Sequence, residues 1–224
     1  LQLPNGQVLV NSIAKAAMEE NMADAQQAPS RELKQLYQAW ADGEPGLLLT
    51  GNVMIDRRAM TGPGGVALED ERSLDSFREW AALGRNNGGH FWVQLNHPGR
   101  QTPANLRQQA LAPSAVALDL GIFSKMFAKP RAMSEDEIQN VITRFATSAR
   151  LAEKAGFTGV QIHAAHGYLL SQFLSPLSNR RTDHWGGSLQ NRARLLIEVI
   201  KAVRASVSPS FCVGVKLNSA DFQR

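Results

Sequence analysis

Five short apolar runs separated by amphipathic helical patterns constrain this chain more than any other feature. Four runs are strong: residues 46–50 (GLLLT), 91–95 (FWVQL), 160–162 (VQI) and 211–217 (FCVGVKL); a weaker one covers residues 13–18 (IAKAAM). Residues 31–40 place Leu33, Leu36, Tyr37 and Trp40 on one helical face, and residues 73–86 open on Ser73 as a cap and gather Leu74, Phe77, Trp80 and Ala81. Ser134 followed by Glu137 reads as an N-cap with its capping-box partner, opening a helix that turns Ile138, Val141, Ile142 and Phe145 inward. A last helix over residues 188–207 carries Leu195, Leu196, Val199, Ile200 and Val203. Near-continuous apolar strands alternating with amphipathic helices predict an α/β fold with a parallel sheet covered by helices.

Two folds satisfy that pattern, an open doubly wound sheet and a (β/α)8 barrel. The polar residues choose between them. Each strong run ends in groups able to do chemistry: Thr50 and Asn52, Gln94 and His97, His163 and His166, Lys216 and Asn218. Function spread over the C-terminal ends of several strands is the barrel pattern, whereas an open sheet concentrates it at one switch point behind a glycine-rich phosphate loop. No G-x-G-x-x-G occurs; Gly62-Pro63-Gly64-Gly65 lacks the spacing and reads as a plain loop. The stretch 96–133 has no clear period, contains Pro98, Pro103, Pro113 and Pro130, and is expected to form a lid or substrate wall. A whole barrel needs eight strands and roughly 250 residues. With five strands read from 224 residues, the expectation is a partial TIM barrel: residues 1–224 as the N-terminal part of a single barrel domain.

Composition removes other classes. The chain is 43% hydrophobic and 20% charged, ordinary for a globular domain with a sizeable core. Its net charge of +4 is scattered, which argues against a nucleic-acid footprint. No apolar run approaches the ~20 residues that span a membrane. One cysteine, Cys212, excludes an intramolecular disulfide and reads as a small buried apolar residue. It fits a reducing compartment, and a cytoplasmic location is expected. No signal peptide is visible; the first residue is not Met, so the native N-terminus is expected upstream.

The densest chemistry lies at His163-Ala164-Ala165-His166-Gly167-Tyr168, directly after the third strong run. Two imidazoles and a phenol at a strand end are what an active site needs and what a core avoids. An isolated His-x-x-His can also be a surface pair or part of a zinc site, but no third ligand stands nearby in sequence.

These residues, with an ordered series along nearly the whole chain, resemble the Old Yellow Enzyme family. The series comprises Lys15-Ala16-Ala17-Met18, residues 46–51 (GLLLTG), residues 94–100 (QLNHPGR), residues 156–168, residues 172–176 (QFLSP), residues 179–183 (NRRTD), Gly186-Gly187-Ser188, Asn191-Arg192 and Gly214-Val215-Lys216. The resemblance implies an FMN-binding TIM barrel that reduces the activated C=C bond of an enone or nitroalkene with NADPH or NADH. It implies that His163 and His166 hydrogen-bond the carbonyl or nitro oxygen, and that Tyr168 delivers the proton to the α-carbon. It also implies that Gln94 and Lys216 face the flavin pyrimidine, while Ala17, Met18 and Asn52 contact the ring.

Two positions depart from the family: Ser12 stands where Arg is common, and Glu19 where Thr or Cys is common, both bearing on flavin potential and substrate preference. His97 and Arg100 are expected to hold the third-strand loop, His90 to lie on the stability face, and His184 and Trp185 to line an outer rim. The FMN phosphate, in this family, is held by loops after the last strands. Three alternatives stand beside the ene-reductase reading. One is a metal-dependent barrel hydrolase or lyase built on His163 and His166. Another is an inactive fragment or homo-oligomer joined through unpaired edge strands. The third is a larger family member with an iron–sulfur site and a further nucleotide domain.

Overall fold

The computed structural model describes residues 1–85 and 88–220. In chain order the elements are β1 (Ala14–Lys15), α1 (Arg31–Ala41), β2 (Leu47–Met54), β3 (Val66–Ala67), α2 (Leu74–Gly84), β4 (His90–Asn96), β5 (Leu111–Ala112), β6 (Arg131–Ala132), α3 (Glu135–Ala155), β7 (Gly159–Ala164), α4 (Leu169–Leu174), α5 (Leu189–Ser206) and β8 (Cys212–Leu217). The main sheet runs β1-β2-β4-β7-β8, every neighbour parallel, with β3 paired to the end of β2; β5 and β6 form a separate small pair. The five strands read from sequence are thus β1, β2, β4, β7 and β8, in chain order across the sheet. That is the arrangement of an arc of (β/α) barrel.

The helices cover one face. Helix α1 packs on α2, α2 on α3 and α3 on α5. Side chains alternate along each strand. Phe91, Val93 and Leu95 of β4, and Val160, Ile162 and Ala164 of β7, enter the main core beneath the helices. Trp92, Gln94 and Asn96, and Gln161 and His163, therefore face the other way, toward what a closed barrel would make its interior. The core includes an aromatic cluster: Tyr37 meets Trp80 edge-on at 5.0 Å, and Trp80 meets Phe157 at 5.8 Å.

Helix termini follow their sequence signals where those signals are complete. Ser134 Oγ accepts from Glu137 N while the Glu137 carboxylate accepts from Ser134 N, closing the expected capping box. Ser30 and Ser188 cap α1 and α5 through Leu33 N and Asn191 N. Ser73 differs: its side chain makes no capping bond, because its backbone (φ −117°, ψ 19°) is not in the extended form a cap requires. Helix α2 ends at Gly84; the expected end at Asn86 lies outside the described residues.

The weak first run gives only two strand residues. After Lys15 the chain leaves the sheet and crosses β2 at Gly51. A Cβ there would lie 2.2 Å from the Met18 carbonyl oxygen and 3.0 Å from Glu19 Cα, so only glycine admits this crossing. Lys15 anchors the crossing: its ammonium donates to Leu49 O (3.0 Å) and the Tyr37 hydroxyl (3.0 Å), pairs with Glu20 (3.4 Å) and lies over the Trp40 ring at 4.1 Å. Burial lowers its pKa, an effect the Glu20 carboxylate opposes. Gly62 to Gly65 form a turn whose Gly64 carbonyl accepts from Ala23 N (2.9 Å), tying the same segment down. No helix among the described residues is long and apolar enough to cross a membrane.

Candidate active site

The sheet brings polar side chains into rows on its inner face. Asn52 of β2 is in register with Gln94 of β4, and Gln94 with Gln161 of β7. One step nearer the C-terminal end, His163 of β7 is in register with Lys216 of β8. The Gln94 amide donates to Gln161 Oε1 (2.6 Å), and the Gln94 backbone N–H is held by Thr50 Oγ1 (2.9 Å). Asn52 Oδ1 is buried with no partner, and Lys216 forms no ion pair with an acid among the described residues. Amides able to donate and accept, together with a lysine cation, fit the edge of a flat heteroaromatic ring carrying N–H and carbonyl groups. A flavin pyrimidine has that edge.

Beyond β7 the chain turns sharply. His166 (φ +57°) and Gly167 (φ +72°) both take positive φ, and Tyr168 N closes the turn on Ala165 O at 3.2 Å. The left-handed conformation is uncommon for a non-glycine residue and signals a constrained site. It is held from two sides: His166 N donates to Asn218 Oδ1 (2.9 Å), and Gln101 Nε2 donates to His166 O (2.7 Å). Tyr168 then occupies the N-cap position of α4 without a side-chain capping bond, and the helix residues are almost all buried. The turn gathers the three predicted catalytic side chains. The His163 ring lies 5.0 Å from that of His166 and 4.9 Å from that of Tyr168, near perpendicular to both.

The protonation states follow from burial and charge. His163 is 2% exposed. Desolvation first, then the His166 and Lys216 charges, push its pKa down to about 3. It is therefore neutral at physiological pH. Its Nδ1 accepts from Ala165 N (3.2 Å), which places the proton on Nε2. Burial, and then the Lys216 charge, lower His166 as well. Tyr168 moves the other way: burial, and then the Glu19 carboxylate, raise its pKa, while Asn52 pulls it down. The site thus holds two neutral imidazoles beside a phenol that keeps its proton.

The expected ring contacts Ala17 and Met18 come from the segment that crosses β2. Met18 is 53% exposed with its carbonyl against Gly51, the neighbour of Asn52, and Ala17 packs partly against the Trp92 cluster one step toward the strand N-termini. Two contributors had no role assigned from sequence. Gln161 lies two residues before His163, so strand alternation alone puts it on the same face. Gln101 comes from the loop after β4 and has no local signal. His97 and Arg100 do hold that loop: His97 Nδ1 accepts from Gly99 N (3.1 Å), its carbonyl from Leu169 N (3.0 Å), and Arg100 donates to Val116 O (3.2 Å). Trp185 is not a rim residue: it is buried and donates to Glu135 (2.5 Å), while His184 stands outside it.

The loop at 96–133 forms part of a separate cleft of about 780 Å³ against α3, lined by Asp56, Arg58, His97, Arg131 and Arg144 among others. There Arg58 and Arg144 share Asp56, and Arg131 pairs with Glu137. Among the described residues no group of three or more His, Cys, Asp or Glu converges as a metal site, and nothing favours the hydrolase alternative.

Comparison with known proteins agrees with this geometry. The chain is 44% identical, over 95% of its length, to an NADH-dependent flavin oxidoreductase of Aspergillus parasiticus, and covers 51% of that protein. It is 43% identical, over its full length, to an NADH-dependent flavin oxidoreductase of a Neonectria species, covering 31% of it. The chain thus spans about a third to a half of these relatives. Among solved structures, the old yellow enzyme homologue from Zymomonas mobilis superposes with a TM-score of 0.85 at 30% identity, covering 93% of this chain and 59% of that one. Morphinone reductase in complex with tetrahydroNAD gives a TM-score of 0.86 at 28% identity, covering 97% and 62%. The fold is accordingly a partial TIM barrel of the Old Yellow Enzyme type. The sequence profile of the NADH:flavin oxidoreductase / NADH oxidase family matches residues 2–223, and the chain belongs to that family, oxidoreductases that use FMN and a nicotinamide nucleotide.

Proposed function

We propose that this chain supplies the substrate-activating part of an ene-reductase, which reduces the C=C bond of α,β-unsaturated carbonyl or nitro compounds with NAD(P)H. The observation that carries the reading is the pairing of a buried neutral imidazole, its proton on Nε2, with a protonated phenol 4.9 Å away at one strand end. FMN, which Gln94, Asn52 and Lys216 would hold at its pyrimidine edge, would supply the hydride chemistry between nicotinamide nucleotide and alkene. Everything else falls to the chain's own residues.

His163 Nε2–H, with His166 beside it, donates to the substrate oxygen and stabilises the negative charge that develops there, the logic of an oxyanion hole. Neutral imidazoles suffice, and the low pKa of His163 keeps it a donor without adding charge to a buried site. Tyr168 holds the proton destined for the α-carbon; a phenol is acidic enough to protonate a developing carbanion yet keeps its proton at neutral pH. Gln94, Gln161 and Asn52 offer amide donors and acceptors to the flavin edge. Lys216 offers a cation that favours the more electron-rich reduced ring.

Tyr168→Phe is the direct test. In rapid-mixing experiments the alkene half-reaction should slow by about 10²–10⁴-fold, the usual contribution of a positioned acid, while flavin reduction by NADH stays near the wild-type rate. Equal slowing of both half-reactions would remove the proton-donor role.

A further inference from the structure

The cleft against α3 takes no part in the chemistry at the end of β7, and its volume of about 780 Å³ is that of a small-molecule site. Two segments meet at its rim: the chain between β2 and β3, carrying Arg57 and Arg58, and the chain between β4 and β5, carrying Arg107. Gln108 fixes one to the other. Its Oε1 accepts from Met60 N (2.9 Å), and its Nε2 donates to Arg57 O (3.0 Å). Arg107, the residue before it, is held in the left-handed conformation (φ +54°), uncommon for a residue other than glycine.

Charge in the cleft is unbalanced. Three guanidiniums share two carboxylates: Arg58 and Arg144 reach Asp56 (2.9 and 3.4 Å), while Arg57 and Arg144 reach Glu69 (2.5 and 3.2 Å). Arg107 is exposed and has no ion pair among the described residues. On the α3 side, Glu137 takes up Arg131 through both oxygens (2.8 and 2.5 Å), and Asp136 lines the cleft with no ion pair among the described residues. Deeper in, His97 is 3% exposed yet lines the same cleft. Gly99 N donates to its Nδ1 (3.1 Å), so its proton is on Nε2, and that N–H has no acceptor among the described residues. A buried donor left unmet is costly, and a ligand in the cleft relieves that cost. We propose that this cleft binds a phosphate-bearing small molecule, with Arg58 and Arg107 as its rim cations and the His97 Nε2–H as its deeper donor. A guanidinium fork matches phosphate oxygens, and more than one unbalanced cation calls for an anion of more than one charge. None of these three residues belongs to the catalytic turn, so the site stands whether or not Tyr168 is a proton donor.

Calorimetric titration of the 224-residue chain with inorganic pyrophosphate, at low salt and without divalent metal, is the test. Arg107→Gln removes a cation that no acid of the fold depends on, and should weaken binding by about tenfold, the worth of one charge-assisted hydrogen bond. Asp136→Asn removes a like charge from the opposite rim and should tighten binding by about two- to threefold. Arg150→Gln makes the same change of charge as Arg107→Gln on an exposed stretch of α3 outside the cleft, and should leave the affinity at the wild-type value. A parallel titration with ADP separates the sources of the phosphate. Pyrophosphate binding at least as tightly as ADP assigns the cleft to a free phosphate ion; ADP binding the tighter assigns it to a nucleotide, with Leu111 and Val141 of the lining beside the base. Absence of binding by either at millimolar concentration, or equal weakening in Arg107→Gln and Arg150→Gln, would overturn the proposal.

Discussion

The inner face of the sheet has two ends, and they are built on opposite principles from the same strands. Toward the strand N-termini, Leu49, Trp92 and Cys212 form a dry cluster against Leu47, Ala17 and Leu3. The N-terminal segment closes over it: Asn5 Nδ2 donates to Ser210 O (3.0 Å) and to Cys212 Sγ (3.3 Å). Toward the C-termini, two residues along β4, Trp92 gives way to Gln94. Along β7 the inner positions run Gly159, Gln161, His163, and along β8 Cys212, Gly214, Lys216. The change from indole to amide takes two residues on β4, and that from thiol to ammonium takes four on β8. It teaches that a barrel strand need not compromise between stability and chemistry along its whole length; the apolar end supplies rigidity and the polar end uses it.

The largest effect should come from breaking the dry end. The Trp92 indole lies across β7 and β8, where only glycine leaves it room: a Cβ at Gly159 would lie 2.7 Å from its Nε1, and one at Gly214 3.0 Å from its Cζ3. Trp92→Ala leaves a cavity that those glycines cannot fill, at an expected cost of about 3–5 kcal/mol in urea unfolding. The affinity of the folded variant's polar end for a phenol-type ligand should not change; a changed affinity would mean the two ends are coupled through β4.

The converse variant, His163→Ala, should weaken binding of a phenol-type ligand by about 1.5–3 kcal/mol, the worth of a hydrogen bond to a charged oxygen. It should destabilise the fold less than Trp92→Ala, because the side chain's role is directed at a ligand and its Nδ1 bond is to a neighbouring turn N–H. Unchanged ligand affinity by fluorescence or absorbance titration would count against the anchor role.

The difference between the two ends also marks what could be read from sequence. The strands were legible because their apolar faces are continuous, and the polar residues at their ends pointed to a barrel. The cluster at 163–168 was legible because all its members lie within six residues. What escaped were contacts between distant segments. Glu19 with Thr61, His166 with Asn218 and Gln94 with Gln161 depend on how strands register, which no local pattern states. Helix α4 escaped for another reason: it has six residues, five of them buried, and too few turns to show a period. Strand β1 was overextended because apolar residues 16–18 serve the crossing at Gly51 and not the sheet. Trp185 was assigned to a rim because its partner Glu135 lies 50 residues away.

The smallest effect per step, and the one that tests the polar end without any ligand, is the dependence of stability on pH. Burial holds His97 down to about 4, while burial with the His166 and Lys216 charges holds His163 down to about 3. In the unfolded chain both titrate near 6.5. Below that value the unfolded state binds protons that the folded state refuses, so stability must fall as pH falls, by up to about 1.4 kcal/mol per pH unit for each histidine. The loss runs from roughly 6.5 down to each folded value. Carboxylates whose native partners depress them, such as Glu137 at about 2, act lower, where the unfolded carboxylates begin to protonate, so the interval from about 6 to 5 reports mainly the histidines. Urea unfolding across that interval should show a shallower slope in His163→Asn than in wild type, and a similar flattening in His97→Asn. A His163→Asn slope equal to wild type would mean that the imidazole takes up a proton in the folded site. It would then be a cation and not the neutral donor that the reading of the polar end requires.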